Sequence, residues 1–306
     1  VDSLLVLGGA LVVLLDVSPV DRLDPGPSSR CPSDMRLVAG DHFDEAQHLC
    51  TDPRTSDHTF AGKTKKVTRC YEYLPGVSAL EGARTRVETC MDRFEAPNQR
   101  GAKPLTMQSF RMAEKWCAKK GKRVCTEQEW ELACEGPQQR PFVYGWKVDT
   151  TVCNNGKGWR AFDAQKLVAK GDVAQKEVDR LWQGALSGHY VACVSPFGIH
   201  DLNGNLEEWV STRPSRKLPG ALMGGFWSKA WTGCRGTNDA HEPTFVFYET
   251  GFRCCRDARP EGSFDHQKPT SDDVDVKRPA GEVSPKRAPK APPPPTKSKP
   301  KKKKGS

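Results

Sequence analysis

Twelve cysteines, spread from Cys31 to Cys255, constrain this chain more than any other feature of its sequence. Reduced cytosolic proteins seldom carry so many, and zinc-binding cysteines come in close pairs, whereas no C-x-x-C occurs here. The pattern predicts a disulfide-bonded fold from an oxidising compartment, exported to the periplasm or cell envelope. The uninterrupted apolar stretch from Leu4 to Leu15 agrees with that reading. It is short for a membrane-spanning helix but long enough for the core of an export signal. Residues 1–20 are therefore read as an export signal or N-terminal membrane anchor, although a basic leading region and a small-x-small cleavage site are missing.

The formal net charge of +9 would suggest an acidic partner if it were spread over the fold. It is not: nine Lys or Arg fall between Lys286 and Lys304 with no acid among them, which leaves the body close to neutral. No nucleic-acid-binding face is implied. From Ala258 onward Pro, Lys and Ser take over, a composition that cannot bury enough apolar area to fold. Residues 258–306 are expected to be a disordered basic tail. Such a tail could touch an anionic membrane or envelope polymer, with about 1 kcal/mol available per well-placed basic residue.

Between these ends, residues 21–87 form a cysteine-bearing extension of weak periodicity, and residues 88–257 have the punctuation of a compact domain with short elements and long connections. Two helices are readable there. Ser109 can cap the first, in which Met112, Ala113, Trp116 and Cys117 recur at helical spacing until Gly121 ends it. The second opens at Thr126-Glu127-Gln128-Glu129, a capping box, and continues with Trp130, Ala133 and Cys134 along one face. The rest reads as short strands and loops.

Five blocks in order carry a more specific signal. Gly121-Lys122-Arg123-Val124-Cys125-Thr126-Glu127-Gln128-Glu129-Trp130-Glu131 resembles the G-K-R-L-P-T-E-A-E-W-E signature of the formylglycine-generating-enzyme, or sulfatase-modifying factor, family. Tyr144-Gly145-Trp146 is similar to its Y-P-W-G, and the run from Phe197 to Trp209 resembles its G-L-Y-D-M-x-G-N-x-W-E-W loop. Gly224-Gly225-Phe226-Trp227 and Gly251-Phe252-Arg253 complete the series. The resemblance implies the family's α+β fold of C-type-lectin ancestry, low in regular secondary structure, held by disulfides and bound calcium. It implies the pairs Cys117–Cys254 and Cys134–Cys234. Cys153 with Cys193 and Cys125 with Cys255 are plausible further pairs, but connectivity stays open.

The same resemblance places calcium ligands at Asp201, Gly204, Leu206 and Glu208. Two carboxylates and irregular backbone form the oxygen-only set that a hard cation prefers. A second family site would fall near Asn154 and Asn155. The family's oxidases activate oxygen at Cu(I) held by two cysteine thiolates in the loop before the residue matched by Cys234. Here Met223–Gly233 contains no cysteine, and none occurs between Cys193 and Cys234. Soft thiolates cannot be exchanged freely at Cu(I), so copper is not expected. Candidate catalytic residues reduce to Cys234 with His241 as base, although Cys234 matches a structural half-cystine. An iron site from His200 and His241, as in the family's non-haem iron branch, is not expected either.

Trp227, Trp231, Arg235, Asn238, Asp239 and His241 suit a groove for a peptide or small polar ligand; the alternative for the two tryptophans is core packing. The expected function is a non-catalytic binding or assembly module. The rival is an oxidoreductase of the same superfamily acting on a peptide or small thiol.

Overall fold

The computed structural model describes residues 25–60, 63–169 and 171–266. The N-terminal apolar stretch and the basic run from Lys286 to Lys304 lie outside the described residues. Within them no helix is long and apolar enough to cross a membrane.

The chain begins with four strands, β1 (Met35–Gln47), β2 (Pro53–Phe60), β3 (Lys63–Cys70) and β4 (Ala79–Asp92). Helix α1 (Phe110–Lys119), the short β5 (Arg123–Val124) and helix α2 (Glu127–Glu135) follow. Then come α3 (Ala164–Leu167), α4 (Asp172–Leu181), β6 (Glu207–Ser211), β7 (Gly220–Met223), β8 (Thr237–Asn238), β9 (Thr250–Phe252) and β10 (Cys254–Asp257). One four-stranded sheet has the order β1-β4-β10-β5, a second has the order β8-β7-β6-β9, and β2-β3 form a separate hairpin.

Both legible helices start where their caps place them. The Ser109 side chain accepts from Met112 N, and at α2 the Thr126 and Glu129 side chains satisfy each other's backbone amides. Between the helices and sheets lies the main core, in which Trp130, Ile199 and Met91 are essentially inaccessible to water; Trp209 is buried in a second cluster with Phe110 and Phe252. Helix α4 is absent from the sequence reading because only Val178 and Leu181 among its apolar residues are buried; Val173 stays exposed.

The expected boundary at Val87 falls inside β4, and β1 pairs with β4 from Met35↔Asp92 to Gln47↔Ala79. The segment before residue 88 thus supplies the edge of the central sheet rather than an extension to it. Long pairings of this kind escape local periodicity, because their hydrogen-bond partners are distant in sequence. Residues 258–266, placed with the tail on composition, fold back: Arg259 N donates to Arg30 O at 3.1 Å and Phe264 N to Ser29 O at 2.9 Å.

All twelve cysteines are bonded. Cys117–Cys254, Cys134–Cys234, Cys125–Cys255 and Cys153–Cys193 are joined by Cys31–Cys90 and Cys50–Cys70. The bridges separated by 137, 130 and 100 residues tie α1, β5 and α2 to the last third of the chain. Loops of that length give about 4–5 kcal/mol each in the chain-entropy limit. Such anchoring matters where much of the backbone lacks ladder hydrogen bonds.

Candidate functional site

Helix α2 positions one wall through a stripe of acids. Glu127, Glu131 and Glu135 recur every four residues and so share a helix face. Arg216 Nε donates to Glu127 at 3.0 Å, Arg213 Nη2 to Glu131 at 2.7 Å, and Arg235 uses Nε and Nη2 on Glu135 at 2.8 and 2.9 Å. His42 Nε2 also lies 2.6 Å from Glu131 Oε2, with both side chains buried. Bidentate arginine–carboxylate pairs fix geometry as well as charge. They hold the loop 213–216 and the segment around Arg235 against β1 and α2.

Above that framework lies an open groove of about 750 Å³, lined among others by His48, Arg69, Tyr73, Arg140, Glu207, Lys229, Trp231, Arg235, Asn238 and Asp239. Four of the six expected groove residues, Trp231, Arg235, Asn238 and Asp239, therefore meet there. Trp227 does not: it is 1% exposed, packed against Trp182, Phe226 and Tyr248. His241 is not among the lining residues either; its ring stacks on Phe245 at 3.8 Å, and burial lowers its pKa. Arg235 is committed to Glu135 and to Asp44 O, so it shapes the wall more than it offers free donors.

Of the groove residues missed in the sequence, Arg140, Glu207 and Lys229 come from the domain itself, whereas His48, His58, Arg69 and Tyr73 come from the N-terminal segment. His48 Nε2 donates to Gln139 O at 2.7 Å, and burial depresses its pKa. Arg69, on β3, places its guanidinium 4.2 Å from the centre of the Trp231 ring, a cation–π contact. A signal was present: Cys50 and Cys70 bracket a polar, Thr-rich stretch of strand-like length, as a disulfide-closed hairpin would.

Cys234 is bonded to Cys134 and fully buried, so it has no thiolate, and the catalytic reading of it fails. No free cysteine is present in the chain. His200 is stacked on Phe94, 5.0 Å between ring centres, rather than turned with His241 toward a common metal. Among the described residues no three His, Cys, Asp or Glu side chains form a metal-holding group by themselves.

The loop expected to hold calcium is buried. Arg253 Nε and Nη2 each donate to a Glu208 oxygen at 2.6 Å, and Trp130 Nε1 donates to Glu208 Oε2 at 2.9 Å. Asp201 Oδ2 accepts from Gly188 N at 2.7 Å, and Glu95 accepts from Asn205 Nδ2 and Leu206 N. Gly204 has φ +81° and would set a Cβ 2.3 Å from Asn154 O, so the turn that brings this loop to Asn154 requires glycine.

Three buried carboxylates thus surround one guanidinium. Burial and neighbouring carboxylates push Glu95 well up, and burial pushes Asp201 up to about 7. That excess of negative charge, and hard oxygens at Asn154 Oδ1 and Asn155 Oδ1 that are buried without a hydrogen-bond partner, fit a hard divalent cation. With carboxylates contributing so few ligands, main-chain carbonyls such as those of Gly204 and Leu206 would complete the set.

Comparison with known proteins agrees with the blocks read from the sequence. Residues 40–258 match the model of the Sulfatase-modifying factor enzyme 1-like domain. The chain is 28% identical over 169 residues to the Bos taurus protein "Inactive C-alpha-formylglycine-generating enzyme 2", covering 52% of each chain. The Mus musculus protein of that name is 28% identical over 167 residues, covering 52% of this chain and 51% of its own. The chain spans about half the length of these curated relatives. Among solved structures, that of CarF is similar at 14% identity with a TM-score of 0.44, over 74% of this chain and 99% of CarF.

Proposed function

This chain belongs to the Sulfatase-modifying factor enzyme 1-like domain family, and from that premise we propose that it is a non-catalytic binding protein of an oxidising compartment. One observation carries the reading: every cysteine is in a disulfide, while the groove that would receive a peptide stays open. Thiol chemistry of the family's kind needs two thiolates for Cu(I), and this chain has none to give. The curated relatives, named as inactive, point the same way. Six disulfides support an oxidising, extracellular setting. Calcium bound by Asp201 and the Gly204 and Leu206 carbonyls, with Asn154 and Asn155 nearby in the fold, would supply structural charge neutralisation and no redox chemistry; Glu208, expected as a fourth ligand, is committed to Arg253 and Trp130 instead.

The test is direct. Purified protein is incubated with a cysteine-containing sulfatase-type peptide, copper, oxygen and reductant, and the peptide mass is followed; denatured protein is alkylated in parallel. No conversion to formylglycine and no alkylated cysteine are expected. Conversion above a no-protein control, together with a labelled Cys234, would overturn the assignment.

A further inference from the structure

The β2–β3 hairpin gives the groove a chemical preference. Its ladder pairs His58 with Lys65, Phe60 with Lys63 and Arg54 with Arg69, and side chains alternate between faces along each strand. His58 and Arg69 line the groove, so Lys63 and Lys65 share that face with them. Asp57 and Lys66, cross-strand partners in a 3.0 Å ion pair, lie on the opposite face. Among the described residues Lys63, Lys65 and Arg69 make no ion pair. Arg69 holds only Ser56 Oγ at 3.1 Å and the face of Trp231. A guanidinium pinned over an indole, with most of its donors unused, is preset for a carboxylate.

The other side of the groove differs. Lys229 is paired with Glu207, and Asp239 accepts from Arg216 at 3.0 Å. A uniformly charged polyanion would meet the carboxylates of Glu207 and Asp239 as well as the hairpin cations, which disfavours it. A peptide can instead lay acidic side chains against the hairpin and main-chain amides against Thr237 and Asn238. We infer that the groove binds an acidic segment of polypeptide, with Arg69, stacked on Trp231, as the carboxylate anchor and Lys65, four residues away along the same face of β3, as a second cation. This rests on the binding-module reading above and names its ligand class.

The probe is a fluorescein-labelled peptide of alternating Glu and Ala, compared by anisotropy at about 0.05 M salt with its Gln counterpart and with dextran sulfate as competitor. The Glu peptide should bind and the Gln peptide should not. Arg69→Gln should weaken binding about tenfold and Lys65→Gln two- to threefold, roughly, while Lys66→Gln changes it less than about twofold. Circular dichroism confirms that each variant is folded. Equal losses from Lys65→Gln and Lys66→Gln, or dextran sulfate binding more tightly than the peptide, would overturn the inference in favour of unspecific charge attraction. If both peptides bind equally and Trp231→Ala abolishes both, the groove is a binding site but its acidic preference is wrong. If neither binds, the preference and the peptide-binding groove fall together.

Discussion

Arg253 and Glu208 form a forked ion pair at 2.6 Å on both oxygens, each side chain 1% exposed, across 45 positions of sequence. Arg253 Nη2 also donates to His200 O at 2.8 Å, so the guanidinium stitches β6, β9 and the loop before them. Removing one partner of a buried pair strands the other's charge, which costs about 3–5 kcal/mol. Arg253→Met should therefore lower stability in urea unfolding by that order. Arg253→Lys should recover only part of the loss, because an ammonium cannot fork across both oxygens. A Met variant within about 1 kcal/mol of the parent would show that the pair contributes little.

Glu249 gives a pH dependence. Burial, then the neighbouring Glu207 carboxylate, raise its pKa from 4.5 to about 8, and its Oε2 has no hydrogen-bond partner. Between these values the native state holds a proton that the unfolded chain releases, so this group's contribution to stability declines as pH rises from about 4.5 to 8. Glu249→Gln keeps the neutral shape and removes the titration. The variant should match the parent near pH 4 and exceed it by on the order of 4 kcal/mol at pH 8, after which the gap levels off. A gap independent of pH would refute the assigned titration.

Calcium, if held as proposed, stabilises the native state by mass action. At a hundredfold excess over the dissociation constant the gain is about 2.7 kcal/mol, or roughly 5–10 °C in Tm for a domain of this size. Chelation should lower Tm by that much, with calcium restoring it and magnesium doing so poorly, since magnesium demands a tighter octahedron. Asp201→Asn should remove most of the dependence while leaving the Arg253–Glu208 pair in place. Melting curves that superimpose with and without chelator would eliminate the site.

The helices were legible because each carries its own start signal within four residues: Ser109 over Met112, and Thr126 with Glu129. The core disulfides Cys117–Cys254 and Cys134–Cys234, and the Trp231 to Asp239 part of the groove, followed from the family resemblance that the contiguous motif blocks carry.

What the sequence alone determined is therefore local or compositional: the oxidising chemistry of twelve cysteines, two capped helices, the family blocks, and the missing thiolate pair. Tertiary structure decided the rest. It turned Trp227 inward, merged residues before Val87 into the central sheet, and brought Arg69 to Trp231 across 162 positions. Strand pairing and groove lining depend on contacts between residues distant in the chain, and neither periodicity nor capping records which distant strand a segment will meet.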